Sequence, residues 1–237
     1  MKWIITIFLI ACCATSEAQI YNIPHFKIYY SHLDNKNIKD IADSLEDNYK
    51  RIITDLQCPE AVPVKVYFYE DTPAYRLGIK RWVPNPAPWS GGSTLGDSAI
   101  YLISPNISAQ HYQEGISNVI HEFAHCVSRH INKKIVNNPR WLWESIAIYE
   151  SRQKFDPRTL PYLVHHNPPA LKQLSDFSDT TIYYVGYFIG EYLAATKGKS
   201  VLNELIKNNG NIRQTLNMDD EEFTRQWFAF VGKKYGI

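Results

Sequence analysis

Two segments of the chain place polar residues where burial would force them to find a partner. Residues 121–125 read His-Glu-Phe-Ala-His, and Glu144 follows nineteen positions after His125. Helix residues four positions apart project from the same face, so His121 and His125 would point the same way, one turn apart. A fold of this chain has to satisfy that pair, because unpaired buried polar groups are costly.

The flanks of both segments predict burial. The helix that we predict from Gln113 to Ile131 is apolar around the histidines, at Ile116, Val119, Ile120, Phe123, Ala124 and Val127. Glu144 has apolar neighbours at Trp141, Leu142, Trp143, Ile146, Ala147 and Ile148. A carboxylate in such a setting should be paired or metal-bound. Glu150 is the competing carboxylate, but its polar neighbours Ser151, Arg152 and Gln153 predict that it is exposed.

Together, His121, His125 and Glu144 predict a zinc site rather than two solvated surface histidines. Two imidazoles and one carboxylate are the ligands of a catalytic zinc site that keeps its fourth position open. The eighteen residues between His125 and Glu144 allow the first helix to end, the chain to turn and a second helix to pack alongside. Glu122, beside the first ligand, would then hold a water molecule rather than the metal.

The bulk properties exclude some classes of function. With 237 residues, 45% of them hydrophobic, the chain suits a single domain with a sizeable core. Its net charge of +1 and the lack of a Lys/Arg run argue against nucleic acid as a partner. No apolar stretch after the N-terminus is long enough for a transmembrane segment in the mature chain. The sequence leaves the oligomeric state unknown.

Residues 1–18 have the pattern of a signal peptide. Lys2 is followed by a short apolar segment, and Ser16 and Ala18 are small residues at the −3 and −1 positions of a cleavage site. The mature chain is therefore expected to begin at Gln19 and to be exported to the periplasm, the cell surface or the medium. Cys12 ends a Leu-Ile-Ala-Cys segment that resembles a lipoprotein box, a less favoured alternative because its signal would be short.

The pattern of residues predicts an α+β fold, with an α/β lobe at 19–109 and a mainly helical lobe at 110–237. The N-terminal elements are expected at 26–30 (strand), 35–56 (helix), 62–69 (strand), 72–79 (helix), 81–96 (loop) and 98–103 (strand). After the histidine helix, the expected helices are 141–153, 180–196, 200–207 and one that opens at Asp219. Asn138 is expected as the N-cap of the second ligand helix, with Pro139 in its first turn.

Two further groups of reactive residues are less informative. Removal of the signal leaves Cys58 and Cys126, which form no disulfide framework, although a bridge between them stays open. Cys126 follows a predicted ligand and is expected to be a small core residue. His165 and His166 lie in a predicted loop, where solvated side chains are expected rather than a second metal site.

The pattern of His121-Glu122-Phe-Ala-His125, eighteen residues and Glu144 within Trp-Leu-Trp-Glu-Ser resembles that of the gluzincin metallopeptidases. These are the thermolysin-like and aminopeptidase-like zinc enzymes, also called peptidase MA-like. The N-terminal strand–helix–strand and the Tyr-bearing segment that starts at Tyr183 also resemble their plan. One departure is Ser145, where the family usually has glycine after the glutamate. The resemblance implies a zincin catalytic core and a mixed sheet packed on the helical lobe. It also implies that the protein is a secreted protease.

The resemblance also implies roles for individual residues. Glu122 would act as general base and then acid in zinc-dependent peptide hydrolysis. Gluzincins usually add a donor for the developing oxyanion, and the candidates here are Tyr183 and Tyr184. An edge strand in these enzymes pairs with the extended substrate, which makes the glycine-rich loop and the strand at 98–103 the candidate wall. The candidate substrate-binding residues in that loop are Gly91, Gly92 and Ser93.

The expected partner is a peptide or protein substrate, and the expected enzyme is an endopeptidase. Aminopeptidases of this group keep a glutamate near the substrate strand, whereas residues 81–96 contain none and Asp97 is the one acid nearby. The alternative function is a non-catalytic zinc-binding or recognition module of the same fold, with or without a lipid anchor. Glu122 argues for the enzyme, because a binding module has no need of a base beside an open metal position.

Overall fold

The computed structural model describes residues 18–59, 63–136 and 138–237. Within them the chain has a mixed α/β architecture, consistent with the predicted α+β class. The strands are β1 (Gln19–Asn22), β2 (Phe26–Tyr30), β3 (Val64–Tyr69), β4 (Gly92–Thr94) and β5 (Ala99–Ile103). The helices are α1 (Ile38–Asp55), α2 (Thr72–Ile79), α3 (Tyr112–Ile131), α4 (Arg140–Glu150), α5 (Pro161–Val164), α6 (Leu171–Leu174), α7 (Ile182–Lys197), α8 (Ser200–Lys207), α9 (Ile212–Leu216) and α10 (Asp220–Tyr235).

The five strands form one mixed sheet in the order β1-β2-β3-β5-β4. The three central strands are parallel to one another, while β1 and β4 are antiparallel to their neighbours and form the two edges. Alternate residues of β3 face the core, because successive side chains of a strand point to opposite sides. The buried ones are Val64, Val66 and Phe68.

Helices α1 and α3 cover the buried face of the sheet, and aromatic rings join the three layers. The Phe26 ring of β2 contacts Tyr49 of α1 edge-on at 5.9 Å and Phe123 of α3 at 5.1 Å between centroids. Such edge-to-face contacts stabilise a core beyond the area that they bury. The histidine helix is thus fixed directly against the sheet, with its other side free to meet α4.

Helix α4 lies between α3 and α7, and two glycines let α7 approach it closely. A Cβ on Gly186 would come within 2.9 Å of Ile148 Cδ1 and 3.3 Å of Ser145 Cα. One turn later, a Cβ on Gly190 would lie 2.5 Å from Tyr149 Cβ. The backbone of α7 therefore packs where any side chain would collide, which holds α4 and its Glu144 in place.

Most predicted elements are found, with some bounds shifted, but three local predictions were wrong. Asn138 does not cap α4: Pro139 occupies the N-cap position without a side-chain hydrogen bond, and the helix begins at Arg140. Residues 92–94 of the predicted loop are the strand β4, because their backbone pairs with β5. The strand predicted at 98–103 is consequently an inner strand, and β4 is the edge. Strand β1 was not predicted.

The prediction that Glu150 is exposed was also wrong. Its side chain is 0% exposed, and its Oε2 accepts a hydrogen bond from Arg51 of α1, 99 positions away in the chain. Burial raises the pKa of Glu150 to about 7, although the neighbouring charge of Arg51 acts in the opposite direction. The carboxylate therefore links α4 to α1 and takes no part in the candidate site.

Two predictions about processing and membranes have different outcomes. Residues 1–17 of the predicted signal peptide, with Cys12, lie outside the described residues. Within the described ranges, no helix is both long enough and apolar enough to cross a bilayer, as expected.

Replacing Gly190 with alanine tests the close packing of α7 on α4. We expect Gly190→Ala to lower the free energy of unfolding by about 1–3 kcal/mol, because the new methyl group overpacks the contact with Tyr149. The matched control is Gly232→Ala in α10, where the nearest atom is the carbonyl oxygen of the terminal Ile237, at 3.1 Å. That change should be neutral or stabilise by up to about 1 kcal/mol. Equal denaturant midpoints for the two variants would contradict the packing.

Candidate metal centre

Helices α3 and α4 bring His121, His125 and Glu144 together. One ligand atom from each residue lies within 4.8 Å of the other two, the sole such group of three found in the described residues. Glu144 Oε2 is 3.3 Å from His121 Nε2 and 3.9 Å from His125 Nε2. The two imidazole rings are nearly perpendicular, with their centroids 4.6 Å apart. The distances place two nitrogen donors and one oxygen donor around a common point.

The donor set fits a divalent metal ion. The residues His121, His125 and Glu144 are each at most 9% exposed, yet Glu144 Oε2 makes no hydrogen bond. A buried carboxylate oxygen without a donor is costly unless something else compensates its charge. Two imidazoles and a carboxylate suit Zn²⁺, whose structural sites usually have four protein ligands and whose catalytic sites have three.

The histidines differ in their electrostatic surroundings. Burial lowers the pKa of His125 well below its ordinary value, and the charge of His121 acts in the same direction. Burial also disfavours the charged form of His121, but the nearby carboxylate of Glu144 outweighs it and raises the pKa of His121. The carboxylate thus attracts positive charge into the group. A metal cation would satisfy the same attraction.

Glu122 lies beside this group but faces another element. Its Oε2 is 2.7 Å from Thr94 Oγ1 of the edge strand β4. Thr94 Oγ1 also donates to the backbone oxygen of Glu122, at 2.9 Å. A Cβ on Gly92 would lie 2.7 Å from Glu122 Oε1, so only glycine leaves room for the carboxylate there. Burial raises the pKa of Glu122 to about 7, while the charge of His121 and the hydrogen bond with Thr94 oppose the rise.

The two histidine rings are held in different ways. His121 Nδ1 is 3.0 Å from Oε1 of Gln153, just beyond the end of α4. The His125 ring instead stacks on Trp143 at 4.2 Å between centroids and 8° between planes, and its Nδ1 has no hydrogen-bond partner. Both rings therefore have restricted orientations, the first by a hydrogen bond and the second by packing.

Of the two candidate tyrosines, Tyr183 faces the site and Tyr184 faces outward. Burial and then the charge of Glu144 raise the pKa of Tyr183 to about 12, with Arg140 opposing. The Arg140 guanidinium lies 5.3 Å from the centre of the Tyr183 ring and donates to the backbone oxygens of Asp176 and Asp179. Tyr184 is 43% exposed, and its ring packs on Phe155, 5.1 Å away.

The predicted substrate residues divide along β4. Gly92 faces Glu122, as described, whereas Ser93 points away, with its Oγ 2.7 Å from the hydroxyl of Tyr75. The backbone oxygen of Gly91 accepts a hydrogen bond from Ile103, so this group is already used within the sheet. Of the three residues, Gly92 alone is in contact distance of a candidate functional side chain.

The other reactive residues stay apart from the centre. His165 and His166 are exposed, and His166 contacts Phe228 edge-on. Cys58 and Cys126 are buried free thiols, so the bridge left open by the sequence is not formed. Burial raises the pKa of both thiols, which makes neither a candidate nucleophile.

Three residues of the site were missed from the sequence. Thr94 belongs to β4, in a segment whose composition predicts a loop, and Gln153 lies in a turn where the sequence predicts the end of a helix. Arg140 precedes the apolar segment around Glu144. The one available signal was the position of Arg140 one helical turn before Glu144, which places both on the same face.

No model of a known protein family matches the chain, and no curated protein sequence matches it. The resemblance to gluzincins thus stays a prediction from the residues His121 to His125 and Glu144. The distances, burial and hydrogen bonds of these residues are observations independent of that resemblance.

Metal analysis tests the ligand assignment directly. We expect the purified protein to bind about one Zn²⁺ per chain, and His125→Ala to remove most of it, because two remaining ligands hold zinc weakly. The matched control is His130→Ala on the same helix, since His130 lies outside the ligand group near Asp97. Zinc content by mass spectrometry after dialysis is the measurement. A folded wild type without metal would contradict the assignment.

Proposed function

We propose that this protein is an exported zinc-dependent peptidase of the gluzincin type, with a thermolysin-like catalytic core. The position of Glu122 supports this proposal most strongly. Its carboxylate lies next to the three ligands, is held by Thr94, and faces the edge strand where an extended chain could pair. A structural metal site would need a fourth protein ligand rather than a carboxylate held outside the ligand group.

The ligands leave one position for chemistry. His121 and His125 of α3 and Glu144 of α4 would hold the ion. A bound zinc ion supplies Lewis-acid chemistry, lowering the pKa of water and polarising a carbonyl group. Three protein ligands are the usual complement of a catalytic zinc site.

Glu122 is the proton carrier in this proposal. Its carboxylate accepts a proton from water as the water oxygen bonds to the scissile carbonyl carbon. The same proton passes to the leaving nitrogen as the carbon–nitrogen bond breaks, which yields a carboxylic acid and an amine. The contacts with Thr94 and Gly92 keep the carboxylate on the β4 side of the ligands, in reach of a substrate bound there.

Strand β4 is the proposed binding edge for the substrate backbone. It pairs with β5 on one side and has no strand on the other within the described residues. Its outer backbone groups can therefore pair with an extended peptide, a common mode of peptide recognition. The edge also lies beside α3, since Thr94 and Gly92 both contact Glu122. A peptide paired with β4 would pass directly over the ligand group.

Tyr183 is the proposed donor to the oxyanion that develops on the carbonyl oxygen. Its raised pKa keeps the hydroxyl protonated at neutral pH, so it can donate. The contact with Arg140 fixes the ring beside Glu144. The exposed position of Tyr184 disfavours the second candidate.

An endopeptidase is favoured over an aminopeptidase. In residues 81–96, which include β4, the chain has no glutamate to bind the amino group of a substrate. A non-catalytic zinc-binding or recognition module, with or without a lipid anchor, is the alternative. In such a module, the carboxylate of Glu122 beside the ligand group would have no role.

Glu122→Gln separates catalysis from metal binding. We expect this variant to keep its zinc and to lose activity on an unstructured protein substrate by about 10²–10⁴-fold, because the amide cannot carry the proton. The matched control is Glu114→Gln, an exposed residue in the first turn of the same helix, which should keep full activity. Cleavage can be followed by mass spectrometry of a peptide-library digest.

The outcomes decide between the two functions. Activity in the wild type that survives in Glu122→Gln would overturn the mechanism. Stoichiometric zinc without cleavage of any library peptide by the wild type would favour the binding module.

Tyr183→Phe tests the oxyanion donor. We expect kcat to fall by about 10²–10³-fold with zinc content unchanged, because the hydroxyl acts on the transition state rather than on the metal. Tyr184→Phe removes a hydroxyl from the adjacent, exposed residue and should retain wild-type kcat. An equal fall in kcat in both variants, or no fall in either, would remove Tyr183 from the mechanism.

A further inference from the structure

Gln153 joins the candidate metal centre to two further polar residues, Ser151 and Asn118. Its Oε1 lies 3.0 Å from His121 Nδ1 and accepts a hydrogen bond from Ser151 Oγ at 3.0 Å. Its Nε2 donates to Asn118 Oδ1 at 2.6 Å. In this arrangement the amide presents Oε1 to the histidine and Nε2 to Asn118. Oε1 is an acceptor, so His121 Nδ1 must be the donor.

This arrangement selects one form of the His121 ring. A neutral imidazole carries a proton on one nitrogen and a lone pair on the other. With the proton on Nδ1, the lone pair is on Nε2, the nitrogen that faces Glu144 at 3.3 Å. The hydrogen bond with Gln153 thus prepares the nitrogen that would bind a metal.

The backbone holds Gln153 in this position. Helix α4 ends in a turn in which Arg152 adopts a left-handed conformation, with φ of 58°. Arg152 N donates to Tyr149 O, and Gln153 N donates to Ile148 O, at 3.1 Å each. These are the two hydrogen bonds of a Schellman motif. The same helix therefore presents Glu144 from its middle and Gln153 from its C-terminal turn.

We propose that Gln153 is a positioning residue that sets the tautomer of His121 and thereby the affinity of the centre for zinc. The inference rests on the proposed metal site but not on peptidase activity. An amide is a neutral acceptor, whereas metal-binding histidines often donate to a carboxylate, which makes the ring a stronger ligand. His125 has no such partner within the described residues. Of the two histidines, His121 is thus the one whose Nδ1 is oriented by a hydrogen bond, and its partner is a neutral amide.

Three variants test the proposal by metal affinity. We expect Gln153→Ala to bind Zn²⁺ about 10–100-fold more weakly in competition with a chromophoric chelator. Gln153→Glu should bind at least as tightly as the wild type, because the Asn118 amide can rotate to donate to the new carboxylate. The matched control is Gln226→Ala on α10, a half-buried glutamine with two hydrogen bonds, to Tyr192 and Glu222. It should leave the affinity unchanged.

A spectroscopic readout separates orientation from general stability. In Co²⁺-substituted wild type, the Nδ1 proton of His121 should give a paramagnetically shifted NMR signal that exchanges slowly with water, because it is donated to Gln153. Gln153→Ala should broaden or lose this signal, and Gln153→Glu should restore it. Loss of stability alone, as Gln226→Ala would cause, does not move the signal.

The outcomes distinguish this inference from the function on which it rests. Equal zinc affinity in wild type and Gln153→Ala, with an unchanged proton signal, would overturn the role of Gln153 and leave the metal site standing. A folded wild type that binds no zinc would overturn both. Weaker zinc binding in both Gln153→Ala and Gln226→Ala would also overturn the role of Gln153, because the effect would then be general destabilisation.

Discussion

The packing of α4 between α3 and α7 is the constraint on which the rest of the site depends. It buries the carboxylate of Glu144 against two imidazoles, an arrangement that the fold tolerates because the three groups can share charge. The glycines of α7 secure that packing from one side, and the aromatic contacts of α3 with the sheet secure it from the other. Sheet, helices and ligands thus form one continuous structure.

As a result of this packing, the two sides of the site supply different functional groups. The sheet side supplies Thr94 and Gly92, which place the carboxylate of Glu122, while the helical side supplies Arg140 and the Tyr183 ring. In the proposed mechanism, proton transfer and charge stabilisation would therefore come from opposite sides of the ligand group. The candidate ligands lie on α3 and α4, the helices that also carry Glu122 and Arg140.

The sequence predicted the features that depend on local periodicity. It did not predict the features that depend on contacts between residues distant in the chain. The histidine helix and the ligand set came from spacing and apolar flanks, which act within a few turns. Glu150 was expected at the surface because its neighbours are polar, but its partner Arg51 lies on another helix. Strand β4 has only three residues, and its pairing with β5 outweighs a composition typical of loops. The proposed role of Gln153 could not be predicted from the sequence, because it depends on the residue at which α4 ends.

The turn after α4 also limits how the chain length can vary. Each residue of a helix advances by about 100° around the axis. One residue inserted between Glu144 and the end of α4 would turn Gln153 away from His121, even if every side chain were kept. The connection between α3 and α4 is held by other contacts, since Asn132 donates to the backbone oxygen of Ile206 and Ile135 is buried in the core. Proteins that share this centre should therefore keep the nine-residue spacing from Glu144 to Gln153.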